Sequence, residues 1–184
     1  NINNKIIHSI IKLEWCNMLK GEKIYLKLLE RKDVRILKNI CDDEKVRRYN
    51  TISNESNNSE NTNFRKALTI INEKEVLVGF ITYKESNYCK DVYSIGITIG
   101  SRYWNRGYGQ DSIKLLLSYL FNDLNAVRVE LEVISTNIRA ITCYKKCGFL
   151  EEGIKKSKCY IDGEYVDTII MGIIKNEFIE NIAQ

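Results

Sequence analysis

Proline is absent from this chain, histidine occurs once, at His8, and the six cysteines form no C-x-x-C pair. The missing proline, set beside abundant Ile, Asn and Lys, reads as codon bias in an AT-rich genome and carries no functional message. Cys16, Cys41, Cys89, Cys143, Cys147 and Cys159 are scattered, and with no secretory leader read before them no disulfide framework is expected. Reduced thiols in a cytoplasmic protein are expected. Cys143 and Cys147 lie on one expected helix face, the spacing of half a metal site. With no nearby His and no second pair they read as buried thiols, and no metal is expected. No apolar run approaches the ~20 residues of a membrane span, so no membrane partner is expected. Charge of one sign is lacking too: 28 Lys and Arg stand against 24 Asp and Glu, interspersed, for a net +4. A nucleic-acid footprint would need a local basic cluster. The nearest candidates, Arg47-Arg48 and Lys155-Lys156-Ser157-Lys158, read as solvated faces, and no nucleic acid is expected.

What is there fits one α/β domain of 184 residues with a full core. Asn1 to Asn17 differs from the rest and reads either as a docking arm or as an extension ahead of a true start at Met18, leaving residues 18–184 as the domain. Ile24 to Leu28 alternates as a strand. From Glu30 a helical pattern follows, with Val34, Leu37, Ile40 and Cys41 on one face. The polar stretch NTISNESNNSENTN is a connector or a wall of a site. A helix is expected around Phe64 to Ile71, then strands in VLVGFITYKES and DVYSIGITIG joined by a polar turn. Gln110 to Asn122 spaces Ile113, Leu116, Leu117 and Leu120 as a helix, and AVRVELEVI alternates Val127, Val129, Leu131 and Val133 against Arg128, Glu130 and Glu132. NIRAITCYKKCGF reads as a helix ending at Gly148, and strands Ile154 to Ile161 and Tyr165 to Ile174 flank Asp162-Gly163, a strong hairpin signal. The order β-α-α-β-β-α-β-α-β-β predicts a mixed sheet with helices on its faces.

The stretch SRYWNRGYGQ carries the first chemical signal. A strand ends near Gly100, a loop turns through Gly107 and Gly109, and a helix then offers unpaired N–H groups and its positive dipole end. Gly107 and Gly109 permit positive φ and close approach, and Arg102 and Arg106 add charge. The arrangement is a pyrophosphate cradle; read without that context it is a tight strand-to-helix turn with an exposed Tyr108. A Walker loop is excluded because no Gly-Lys-Ser/Thr follows, and a dinucleotide fingerprint would need a glycine at Ser112.

Together with N-x-RAI-x-CYKKCGF-x-EEG and YIDGEYVD-x-IIMG, this loop resembles the GNAT superfamily of acetyl-CoA-dependent N-acetyltransferases, from about Lys20 to Phe178. Within it the motifs look most like the branch holding ribosomal-protein alanine and spermidine acetyltransferases. The resemblance implies an α/β GNAT fold with about six to seven strands and about four helices. A splay is expected between the fourth and fifth strands, the one ending near Gly100 and the one carrying Glu130 and Glu132. It implies acetyl-CoA as cofactor. Trp104, Asn105, Arg106, Gly107, Tyr108, Gly109 and Gln110 would hold its pyrophosphate, and the strand edge at Ile97, Thr98 and Ile99 would pair with the pantetheine amides. Trp104 stands where the superfamily loop carries Gln or Arg. Asn137 would bind the pantetheine arm. Arg139, Ala140 and the helix to Lys146 would lie along the other side, with Lys145 or Lys146 near the phosphates or else as surface charge.

Acyl transfer needs an amine that loses a proton, a polarised carbonyl and a proton donor for the leaving thiolate. By resemblance Tyr144 is the donor; by spacing alone it is equally a core aromatic. His8 lies outside the resembling region, so the base would be Glu85, Glu130 or Glu132, or water, and Ser94 stands where relatives carry a Glu. Glu85, Ser94 and Glu132 are the candidate substrate contacts, with the Asp42 to Asn63 segment and the Cys159 to Asp167 hairpin as pocket walls. The acceptor is a protein or peptide N-terminus or a small amine. The alternatives are a polyamine acceptor and a catalytically silent acetyl-CoA sensor. A homodimer through sheet edges or the N-terminal arm is compatible with this reading.

Overall fold

A computed structural model describes residues 18–50 and 66–182. His8, Cys16, the N-terminal extension and most of the expected Asp42 to Asn63 wall lie outside the described residues. The strands are β1 (Met18–Lys20), β2 (Ile24–Leu28), β3 (Lys66–Asn72), β4 (Leu77–Glu85), β5 (Val92–Ile99), β6 (Arg128–Ile134), β7 (Leu150–Ile161) and β8 (Glu164–Ile174). The helices are α1 (Val34–Asp42), α2 (Glu44–Arg47), α3 (Tyr108–Asn122), α4 (Ile138–Lys146) and α5 (Lys175–Ile182). All eight strands form one sheet in the order β1-β2-β3-β4-β5-β6-β8-β7. Among the described residues the strand count exceeds the expected six to seven or so, and five α-helices stand against the expected four or so. The three-residue β1 is too short to leave an alternation.

Phe64 to Ile71 corrects the expectation of a helix there. Its described part is β3, paired antiparallel with β2 and β4. Leu68, Thr69, Ile70, Ile71 and Asn72 are all buried, because an interior strand covered on both faces loses its polar alternation. Val34 and Val127 were expected on apolar faces but are 51% and 53% exposed; Val34 opens α1, and Val127 precedes β6.

The sheet separates two cores. On one face α3 buries Ile113, Leu116, Leu117, Leu120 and Phe121 against β2 to β6, and each such side chain contributes about 1.5–3 kcal/mol. α5 closes the end of this core by setting Phe178 on Phe121, with ring centroids 5.1 Å apart. On the opposite face α1 rests Leu37 on Ile71 and Leu77. The Asp162-Gly163 hairpin forms as expected, with φ of +51° and +89°, the pair of left-handed residues that a two-residue turn demands.

One seam in the sheet positions the site. β5 and β6 are the parallel neighbours, and they pair only through Val92, Tyr93 and Ser94 against Arg128, Val129 and Glu130. Beyond these residues β5 stays on β4 and β6 stays on β8, so the two strands splay apart.

Candidate active site

The splay opens a cleft of about 1140 Å³ lined from both sides of the V, by Ile95 to Ile99 on β5 and Glu130 to Ile134 on β6. On the α3 face its mouth is the loop Trp104 to Gln110. Gly107 is the N-cap of α3 at φ +85°, a conformation open to glycine, and no side chain caps this helix end. The first N–H groups of α3 therefore lack partners within the helix, beside the side chains of Arg106, Arg139 and Lys146 that line the same cleft. An uncapped helix N-terminus among basic groups suits an anionic pyrophosphate, and the residues present fit acetyl-CoA.

Trp104 is fixed by its indole N–H, which donates to Ile99 O at 2.7 Å. The Arg139 guanidinium of α4 lies on the ring, 3.1 Å from its centroid. Loop and helix thus meet across the cleft through a cation–π contact. Asn105 adopts φ +60° within the loop. Tyr108 lines the cleft and is buried, not exposed as in a bare strand-to-helix turn, and its hydroxyl donates to Glu73 at 3.2 Å. Arg102 and Lys145 do not line the cleft; Lys145 pairs with Glu151 at 2.9 Å, whereas Lys146 faces the cleft.

Asn137 caps α4, its Oδ1 accepting from Ala140 N–H at 3.3 Å, and both residues line the cleft. Its carboxamide N–H groups bond to no described residue. Tyr144, in the last turn of α4, is directed inward: it is buried, packs edge-on against Phe149 and still lines the cleft. Burial raises its phenol above the ordinary tyrosine range, so it stays protonated. Its hydroxyl has no hydrogen-bond partner among the described residues.

The other mouth lies on the α1 face, where strand alternation turns Thr82, Ser94, Thr98, Glu130 and Glu132 away from the α3 core. Both carboxylates are engaged: Glu130 accepts from Arg128 Nε at 3.0 Å, and Glu132 pairs with Lys155. Ser94 donates to Lys84 O at 3.4 Å. Glu85 lies outside the cleft lining, where its carboxylate accepts from Asp91 N–H at 3.2 Å and holds the β4–β5 turn.

Of the expected Asp42 to Asn63 wall, the described Val46, Tyr49 and Asn50 line the cleft. Tyr49 and Asn50 follow α2, and Asn50 accepts from the Thr98 hydroxyl at 3.2 Å. Lys155 and Lys158 line the cleft from β7, whereas the expected wall, Cys159 to Asp167, does not. The cause is an irregularity between Lys155 and Cys159, where Ser157 takes φ +50° and its N–H is held by Asp167 at 2.8 Å. Such a bulge re-aims side chains, which alternation alone does not reveal.

Comparison with known proteins agrees with this geometry. The family described as acetyltransferase (GNAT) domain matches residues 23–150. A spermidine N(1)-acetyltransferase of Vibrio cholerae is 25% identical over 168 residues, covering 86% of this chain and 97% of that protein. An L-amino acid N-acetyltransferase of Escherichia coli K12 is 38% identical over 84 residues, 46% of this chain and 52% of the relative. The crystal structure of the Vibrio cholerae spermidine N-acetyltransferase in complex with CoA and spermine matches with a TM-score of 0.72 at 25% identity, over 85% of this chain and 98% of that one. The chain belongs to the GNAT family and is an acetyl-CoA-dependent N-acetyltransferase.

Proposed function

We propose that the chain moves the acetyl group to an uncharged primary amine by direct attack in a ternary complex, the acceptor being a protein or peptide N-terminus or a small amine. The observation that carries this reading is a cleft that crosses the sheet, with a basic helix N-terminus at one mouth, carboxylates at the other, and Tyr144 between them. The loop from Trp104 to Gln110 would take the pyrophosphate, the free edge at Ile97, Thr98 and Ile99 the pantetheine amides, and Asn137 the arm between them. Arg139, Ala140 and Lys146 would line its other side. Residues 18–184 would be the catalytic domain and residues 1–17 an extension outside it.

When bound, acetyl-CoA supplies a thioester whose carbonyl is attacked and whose sulfur leaves. Tyr144, kept protonated by burial, donates to the charge that grows on that sulfur. Backbone N–H groups along the unpaired edge of β5 polarise the carbonyl. Glu130 and Glu132 are held by Arg128 and Lys155, so the amine proton leaves to water at the α1-side mouth, with Ser94 orienting that water.

A polyamine acceptor is the second reading, favoured by the spermidine named for the Vibrio cholerae relative. It is less well supported, because a polycation needs convergent unpaired carboxylates and both cleft carboxylates on β6 are already neutralised. The test is thiol release from acetyl-CoA across spermidine, peptides with free N-termini and aminoglycosides, for the wild type and Tyr144→Phe. Turnover on a non-polyamine class that falls at least ~10-fold in Tyr144→Phe is expected. Tight cofactor binding with no turnover on any amine would leave the silent sensor.

A further inference from the structure

On α4, Arg139, Cys143 and Lys146 recur at helical spacing and all line the cleft. Cys143 is half-buried and faces the phosphate loop: a Cβ placed on Gly109 would lie 3.5 Å from its Sγ. One turn later Cys147 is buried, and its thiol donates to Gln110 O at 3.8 Å. Cys143 therefore stands beside the uncapped end of α3, lining a cavity large enough to admit a second molecule, with Cys147 buried behind it. The cations and helix end that suit a phosphate also suit a thiolate. Cys147, Lys146 and Arg139 lower the Cys143 thiol against the effect of burial, whereas burial and Asp42 raise that of Cys41.

We propose that Cys143 is a thiol-modification site within the cofactor cleft, taking an anionic low-molecular-weight disulfide and thereby excluding acetyl-CoA. This rests on the proposed placement of the cofactor phosphates at the same loop. The Cys143 thiolate attacks one sulfur of the disulfide, a protein–small-molecule disulfide forms, the original S–S bond breaks, and the other half leaves as a thiolate. Arg139 and Lys146 receive the anionic groups of the half that stays. The adduct fills the space between α4 and the first turn of α3, and a reducing thiol removes it by the reverse exchange.

The test treats the full chain with glutathione disulfide and follows each cysteine by peptide mass spectrometry, with the exposed Cys89 as the internal comparator. Cys143 is expected to react, and CoA at about 100 times its Kd should slow that reaction by up to ~100-fold while leaving Cys89 unchanged. The adduct should abolish CoA binding by calorimetry, and dithiothreitol should restore it. In Cys143→Ser, or Cys143→Ala should the first fold poorly, treated and untreated samples should bind CoA alike. Equal reaction of Cys143 with and without CoA, or an adduct that still binds CoA, overturns the proposal. Arg139→Ala separates the two layers: unchanged CoA affinity removes the cofactor placement, whereas weakened affinity with no protection of Cys143 removes the modification site alone.

Discussion

Gly107 and Gly109 sit two residues apart, one capping α3 and one in its first turn, yet replacing each by alanine should have opposite effects on stability. Gly107 is held at φ +85°, where an L-residue is strained by about 1–2 kcal/mol. Its added Cβ would meet Lys23 Nζ at 3.1 Å, the far end of a flexible side chain that can move, so the backbone term dominates. Gly109 lies within α3, its Cβ would meet only Cys143 Sγ at 3.5 Å, and alanine there reduces the freedom of the unfolded chain, a gain of about 0.4–1 kcal/mol. Gly107→Ala should therefore lower Tm by about 2–8 °C, and Gly109→Ala should leave it level or slightly raised. Both should weaken CoA binding, the first by distorting the cradle and the second by placing a methyl in it. Urea denaturation and calorimetric titration measure the two quantities separately. Equal losses of stability, or a neutral Gly107→Ala, would refute the reasoning.

Asp111 accepts from the N–H groups of Glu22, Lys23 and Ile24 at 3.2, 2.7 and 3.1 Å, tying the β1–β2 turn to α3. Asp111→Ala should cost about 1–3 kcal/mol in urea denaturation, less than three charged bonds in full because the exposed donors regain water. Lys32 and Lys27 hold the Glu30 carboxyl at about 2, and Ser101, Arg128 and Lys156 lower those of Asp43, Glu152 and Asp167. These groups bind fewer protons folded than unfolded, so their contribution is present above about pH 5 and is lost as pH falls toward 2; Tm recorded between these limits should decline. Because burial raises Tyr144, kcat should rise as the amine deprotonates and show no basic limb below about pH 10. A fall in kcat near pH 8 or 9 at saturating substrate would contradict that assignment.

The loop and the helix after it were legible because glycine placement and helical spacing are local properties. Asp162-Gly163 was legible for the same reason, its turn being fixed by two residues. β3 was not, since Ala67, Leu68 and Ile71 fit a helical period as well as they fit a strand covered on both faces. The part of the acceptor-side wall that β7 supplies was not legible either. Lys155 and Lys158 reach the cleft through a bulge held by Asp167, a contact ten residues distant from Ser157 in sequence. Glu85, one of the candidate bases and equally a strand-end charge in sequence, has as its partner the Asp91 amide of its own turn.

The three-residue pairing of β5 with β6 also divides the chain. Every strand on one side of the seam comes from residues 18–99, and every strand on the other from residues 128–174. The sheet is therefore two consecutive segments joined edge to edge by a short ladder, with α3 packed across the join. With so few backbone hydrogen bonds at the seam, Leu116, Leu117 and Leu120, buried in the core that both segments share, join the two halves through side-chain packing.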